Sequence, residues 1–162
     1  WSFLGLEIRG LLVERGLMRH GRAVAAGGQR NLHFIFCNAN NSLRSVLETY
    51  AGGLQCVSIQ FPDPWFKKRH QKRRVVQPEL VAVLAELMPV GAMVWLQSDI
   101  EAVAVEMCDR FDEYCVGPDR PCAFVRDGAG WLAQSPFPAR TDRERVGGEE
   151  GLPGYRAGSW RG

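Results

Sequence analysis

The chain lacks any run of about 18 uninterrupted apolar residues, so no segment of it is suited to cross a membrane as a helix. It lacks a C-x-x-C pair, and its five cysteines (Cys37, Cys56, Cys108, Cys115 and Cys122) are odd in number. That argues against a disulfide framework and a cysteine-rich zinc site, and it fits a reducing, intracellular compartment. The three histidines, His20, His33 and His70, are scattered without ligand spacing, so no metal is expected. The opening, WSFLGLEIR, has neither a Met nor a signal or transit pattern. A chain that starts directly in an apolar strand is expected to be partial at its N-terminus. The expectation is therefore intracellular, with no choice among cytosol, nucleus and plastid.

What is present is the composition of a globular domain: 162 residues, 46% hydrophobic and 23% charged. The length fits one domain spanning 1–162, and at that size a sizeable core is possible. The formal net charge is only +2, but it is unevenly spread. Six of the twenty Lys and Arg lie in KKRHQKRR, Lys67 to Arg74, with no acid among them. Outside that run, 14 basic residues face 18 acidic ones. The positive field is focused in one place, as a docking surface for a polyanion requires.

Short apolar runs at Phe3–Ile8, Leu32–Cys37, Leu54–Phe61 and Ala92–Leu96 read as strands. Helices are expected from Leu11 to about Ala26, near Leu43–Tyr50, from Gln77-Pro78-Glu79 onward, and after Asp99 as their N-cap. Leu80, Leu84, Leu87 and Met88 form one apolar stripe; Ile100, Val103, Ala104, Met107, Phe111 and Cys115 form another. The tail holds two further strand candidates, Ala123–Arg126 and Tyr155–Trp160, around a charged helix from Thr141 to Glu150. Trp1, Trp95, Trp131 and Trp160 read as packing residues. Strand and helix alternate four times, and the strands read as buried on both faces. The pattern predicts an α/β fold, a mostly parallel sheet with helices on both faces.

In such sheets ligands sit beyond the carboxyl ends of the strands, so the residues there carry the functional question. Glu7 offers a carboxylate suited to the two hydroxyls of a ribose, or a solvated acid. Asn38-Ala39 offers a donor and an acceptor beside room for a flat ring, or ordinary turn chemistry. Asp63 lies in Phe61-Pro62-Asp63-Pro64-Trp65-Phe66, where two prolines stiffen the backbone and the polycation follows at once. A rigid carboxylate beside aromatics and cations suits a nucleobase with its phosphates. The basic run alone also fits a nuclear-localisation peptide. Asp99 faces the same crevice whether or not it caps a helix. The tail arginines Arg143, Arg145 and Arg156 are left open between RNA and solvent.

These residues, taken together, resemble the tRNA (guanine-N7)-methyltransferases. The resemblance rests on FLGLEIR (3–9), CNA (37–39), FPDPWFKKRHQKRRVVQP (61–78), QSD (97–99) and TDRE (141–144) followed by GLPGYRA, in the family's order. The QSD form and the tail look most like plant, algal or cyanobacterial members. The resemblance implies a Rossmann-like fold that uses S-adenosyl-L-methionine to methylate N7 of the variable-loop guanine of tRNA. It implies that Glu7 and Ile8 meet the cofactor's ribose, Asn38 and Ala39 its adenine, and that Gln60 lies along it. It makes Asp63 the active-site acid and Lys67, Asp99, Thr141 and Glu144 substrate-binding residues. Lys68, Arg69, Lys72, Arg73 and Arg74 are left to hold RNA phosphates. The family's first strand and glycine-rich loop stand ahead of FLGLEIR, where this chain has only Trp1 and Ser2, so they are expected to be missing. Two other readings stay open at this point: a catalytically incomplete fragment, and a non-catalytic RNA-binding module that uses the 67–74 loop.

Overall fold

Alternating short apolar and longer amphipathic runs fold into twelve ordered stretches in a computed structural model, which describes residues 1–50, 52–116, 124–128, 130–151 and 153–161, with 159–161 by backbone alone. The strands are β1 (Phe3–Glu7), β2 (Leu32–Phe36), β3 (Cys56–Gln60), β4 (Met93–Ser98), β5 (Phe124–Arg126) and β6 (Tyr155–Arg161). The helices are α1 (Gly10–Ala25), α2 (Ala39–Thr49), α3 (Pro78–Leu87), α4 (Glu101–Cys115) and α5 (Asp142–Glu149), with a 3-10 helix at Lys68–Arg73. Ala123, expected in β5, lies outside the described residues. The chain divides into two compact units, Trp1–Thr49 and Tyr50–Gly162.

In the first unit β1 and β2 pair in parallel, Phe3 opposite Leu32 and Glu7 opposite Phe36, joined by α1 as a crossover. Two glycines make this possible. Gly5 stands opposite Phe34, and a Cβ on it would come within 2.5 Å of the Phe34 ring. Gly16 of α1 meets the same ring, where a Cβ would lie 3.0 Å away. The ring is therefore held between strand and helix with no room to retreat. The helix ends in a Schellman motif: Gly27 takes φ +86°, and the Gly28 and Gly27 N–H groups donate to the carbonyls of Ala23 and Val24.

In the second unit the sheet order is β3-β4-β6-β5. The β3–β4 pair is parallel, while β6 runs antiparallel to both β4 and β5. Helix α4 packs on β4, β5, β6 and α3. The core comprises Leu80, Val81 and Leu84 of α3, Val94, Trp95 and Leu96 of β4, and Val103, Met107 and Phe111 of α4. Phe111 meets Phe124 edge-on at 5.0 Å between ring centroids. Both predicted helical stripes thus face a core, with Leu87, Ile100 and Cys115 at its margins.

Three expectations are corrected. Of the parallel strands β1 to β4, only β4 is buried along both faces; β1, β2 and β3 mix half-buried and exposed residues. Apolar composition set the expectation, but β1 and β2 pair only with each other and β3 only with β4 among the described residues, whereas β4 lies between β3 and β6 with α4 over it. Trp95 is core and Trp131 packs edge-on with Tyr155 at 5.2 Å, but Trp1 is exposed; the side chain of Trp160 lies outside the description. Asp99 does not cap α4. Ser98 Oγ accepts the Ile100 N–H at 3.1 Å instead, and Asp99 is engaged elsewhere.

The packing of Phe34 predicts opposite outcomes for two glycines of the same unit. Gly5→Ala overpacks the ring and lowers stability by about 1–3 kcal/mol. Gly21→Ala, in the interior of α1 with nothing within 4 Å, raises it by about 0.5–1 kcal/mol. Urea denaturation of both variants reads the difference, and a neutral Gly5→Ala contradicts the packing account.

Candidate functional site

In each unit the residues at the carboxyl ends of two parallel strands are brought side by side. In the first unit, Cys37 N–H donates to the Glu7 carbonyl at 3.0 Å, continuing the β1–β2 ladder and setting Glu7 beside Asn38. Glu7 Oε1 accepts the Arg9 N–H at 2.8 Å, which fixes the carboxylate and leaves Oε2 for a ligand. Asn38 Oδ1 accepts the Asn40 N–H at 3.1 Å at the start of α2, the capping geometry of a helix N-terminus. Its amide nitrogen remains as a donor. Ile8 is exposed, and Ala39 opens α2.

In the second unit Gln60 stands opposite Gln97 in the β3–β4 register. One more bond, Phe61 N–H to the Gln97 carbonyl at 2.8 Å, extends the pairing before the chain turns sharply. Phe61 has φ +49° and Trp65 φ +42°, so Pro62-Asp63-Pro64 is bracketed by two aromatic residues in the left-handed region. Bulky side chains are rarely found there, and such strain persists only where surrounding contacts enforce it. The enforcing contacts are visible. Arg74 Nε donates to the Pro64 carbonyl at 2.8 Å, and its guanidinium pairs with Glu106 of α4. Arg73 lies over the Trp65 ring at 5.2 Å, and His70 meets that ring edge-on at 5.6 Å. Gln77 Nε2 donates to the carbonyls of Gln71 and Arg74, closing the 3-10 turn. Asp63 is thereby presented on an exposed, held loop.

This divides the basic run by role. Lys67, Lys68, Arg69 and Lys72 are exposed, as phosphate contacts need to be. Arg73 is exposed but engaged with Trp65. Arg74 is only 13% exposed and committed to Glu106 and Pro64, so here it braces the loop.

Across the loop, Asp99 is 19% exposed and bound by Arg143, whose Nε and Nη2 both donate to Oδ2 at 2.8 and 2.5 Å. The Arg143 guanidinium also lies 6.0 Å from the Phe61 ring centroid. Thr141 and Glu144 form a capping box at the start of α5. The Glu144 N–H donates to Thr141 Oγ1 at 3.1 Å, and Glu144 Oε2 accepts the Thr141 N–H at 2.8 Å and its hydroxyl at 3.1 Å. Glu144 Oε1 accepts from Gln97 Nε2 at 2.8 Å and from Arg156 Nη2 at 3.4 Å. The side chain of Glu144 is 5% exposed. Burial pushes its carboxyl up, but the bonds from Gln97 and Thr141 and the Arg156 charge outweigh it, so the net shift is downward from 4.5. Arg145 pairs with Asp142 on the surface.

Gln97 and Glu106 have site roles that reading the sequence did not assign, and Arg143, open between RNA and solvent there, is bound to Asp99. The signals were there for the first and last: a glutamine ending the apolar run MVWLQ, and a T-x-x-E spacing that is itself a capping box. Burial raises the thiols of Cys37, Cys56 (to about 11) and Cys108, which keeps them protonated at neutral pH.

Residues 1–117 match the family described as "Putative methyltransferase". The chain is 52% identical over 160 residues to the tRNA (guanine-N(7)-)-methyltransferase of Trichormus variabilis, covering 97% of this chain and 69% of that one. It is 48% identical over 159 residues to the same-named protein of Synechococcus elongatus, again covering 97% and 69%. Among solved structures it is similar to a precorrin-6y C5,15-methyltransferase from Geobacter metallireducens, with a TM-score of 0.56 at 10% identity, covering 99% of this chain and 68% of that one. An rRNA methylase from Streptococcus thermophilus gives a TM-score of 0.52 at 12% identity, with 99% and 73% covered. These two share the Rossmann-like methyltransferase fold.

The lowered Glu144 carboxyl makes an acid-side prediction. A group whose folded value is depressed adds stability that is present above its unfolded value and lost as pH falls through the folded one. The stability gap between wild type and Glu144→Gln is therefore constant above about pH 5 and shrinks from about 4.5 downward. Urea unfolding across pH 3–7 checks it; a gap independent of pH contradicts a buried, ionised Glu144.

Proposed function

Because the chain belongs to the tRNA (guanine-N7)-methyltransferase family, we propose that it transfers a methyl group from S-adenosyl-L-methionine to N7 of the variable-loop guanine of tRNA. The observation that carries the reading is the 52% identity over 97% of the chain. In this reading residues 1–162 act as one methyltransferase domain.

The residues present fit the cofactor. Glu7 keeps one carboxylate oxygen for the ribose hydroxyls, and Asn38 keeps its amide donor for a ring nitrogen of adenine. Ile8 offers an exposed apolar surface, Ala39 adds no bulk, and Gln60 ends β3. When bound, the cofactor supplies an electrophilic methyl group.

The rest of the chemistry asks little of acids and bases. N7 of neutral guanine carries a free lone pair, so no proton must leave before it attacks. Catalysis then reduces to holding the base and supporting the positive charge that develops on it. Asp63, on its held loop, and Asp99 are acceptors suited to N1–H and the exocyclic amino group, and their negative charge opposes that of the methylated ring. Lys67, Lys68, Arg69 and Lys72 hold phosphates, which fix register without reading sequence.

Asp63→Ala is expected to lower methyl transfer by about 10²–10³-fold while leaving tRNA affinity nearly unchanged. Measured turnover and filter binding separate the two, and a parallel loss of binding contradicts the role given to Asp63. Neutralising Lys68, Arg69 or Lys72 reduces the slope of log affinity against log salt by about 0.7–0.9 for each phosphate that is no longer neutralised. Arg74→Gln leaves that slope unchanged and instead weakens turnover through the Asp63 loop. A slope reduction in Arg74→Gln equal to that of Lys68→Gln contradicts the bracing role.

A further inference from the structure

Polar groups buried at the end of β4 form a directional chain. Trp95 Nε1 can only donate, and it donates to Gln97 Oε1 at 3.3 Å. That fixes the amide of Gln97, which is 0% exposed, with its NH2 turned toward Glu144 Oε1. Glu144 is thereby saturated: Oε1 accepts from Gln97 and Arg156, and Oε2 accepts twice from Thr141. A carboxylate with four protein donors and almost no exposed surface has no lone pair directed at a substrate.

We propose that Glu144 is a positioning residue clasped by Gln97, through which the start of α5 is docked on β4 and Arg143 is set on Asp99. The T-x-x-E spacing then serves substrate recognition at one remove. The capping box orders the first turn of α5, and the clasp fixes where that turn sits. Arg143, at the second position of the helix, reaches back to Asp99 with two N–H groups on Oδ2. Both of these bonds fall on Oδ2, and Oδ1 takes none from Arg143. Arg143 itself is 62% exposed, so its position depends on where its backbone is held rather than on burial. The fully buried amide also explains why the link is specific: flipping Gln97 sets its NH2 against the Trp95 N–H and its oxygen against the Glu144 carboxylate.

The inference rests on the methyltransferase reading for its activity readout, and hydrogen exchange in α5 tests it independently of that reading. In Gln97→Glu, two carboxylates face each other. In Glu144→Gln, an amide N–H must face either the Gln97 amide or the Thr141 N–H. Each single variant is expected to lose exchange protection at α5 and to lower kcat/KM for tRNA by about 10²-fold, with KM for S-adenosylmethionine unchanged. The exchanged pair Gln97→Glu with Glu144→Gln restores every bond of the clasp but one: Trp95 donates to the carboxylate introduced at position 97, and the amide introduced at position 144 donates to it while accepting from Thr141, so that only the 3.4 Å bond from Arg156 is lost. The net charge is also conserved. Both protection and kcat/KM are expected to return to within about threefold of wild type. Protection restored without activity overturns the inference, because the charge itself would then be needed at position 144. Neither restored also overturns it. Arg143→Gln, a surface change that leaves the fold intact, is expected to lower kcat/KM for tRNA while α5 keeps its protection; an unaffected kcat/KM contradicts the link to Asp99. A wild-type chain that fails to methylate tRNA defeats the functional reading, and the exchange measurements then still decide whether the clasp docks α5.

Discussion

The carboxyl end of β4 places Gln97 where no water reaches, and the rest of the second unit's site depends on how that residue's polar groups are met. Its carbonyl accepts the Phe61 N–H and so fixes where the Asp63 loop begins. Its side chain accepts from Trp95 and donates to Glu144, and so fixes where the tail helix begins. A buried amide with an unmet group costs roughly 1–3 kcal/mol, so loop and helix are both strongly specified by one residue. The strained backbone at Phe61 and Trp65 is tolerable for the same reason: it is pinned at one end by Gln97 and at the other by Arg74.

This arrangement suits a reaction with modest chemical demands. Methylation at guanine N7 requires no proton abstraction, no metal-bound water and no thiolate, and the thiols raised by burial are poor nucleophiles in any case. What it requires is a base held in one orientation with negative charge near it. A carboxylate on a braced loop and another under an arginine are means to that end. The polycation works at longer range. In the proposed function it draws the RNA in and fixes register, while its last arginine is turned inward to hold the loop it follows.

Much of this was legible in the sequence because the signals were local. The strand and helix alternation, Pro78 opening α3 and the two apolar stripes follow from periodicity and backbone chemistry, and the structure bears them out. The charge of the basic run was visible, but which of its cations face outward was not: Arg74 is singled out by Glu106, 32 positions away, which no local pattern encodes. Strand burial was overestimated for β1 to β3, since apolar composition does not tell a strand how many neighbours it has. Asp99 looked like a helix cap because Asp at that position often is one; Ile100 takes the cap position with no side-chain cap bond, and Arg143, 44 residues on, holds the Asp99 carboxylate. The charged tail helix was expected from Thr141 and starts there, but the Thr141–Glu144 spacing was read for substrate chemistry and not as the capping box that begins it.

The most direct test of the account is the position of the methyl group. Unmodified tRNA incubated with the wild-type chain and S-adenosylmethionine is digested and its nucleosides are resolved by mass spectrometry, with the site mapped by cleavage at N7-methylguanine. The account predicts one product, N7-methylguanosine, at a single variable-loop guanine. Methylation at another atom or nucleotide, or no methylation, contradicts it.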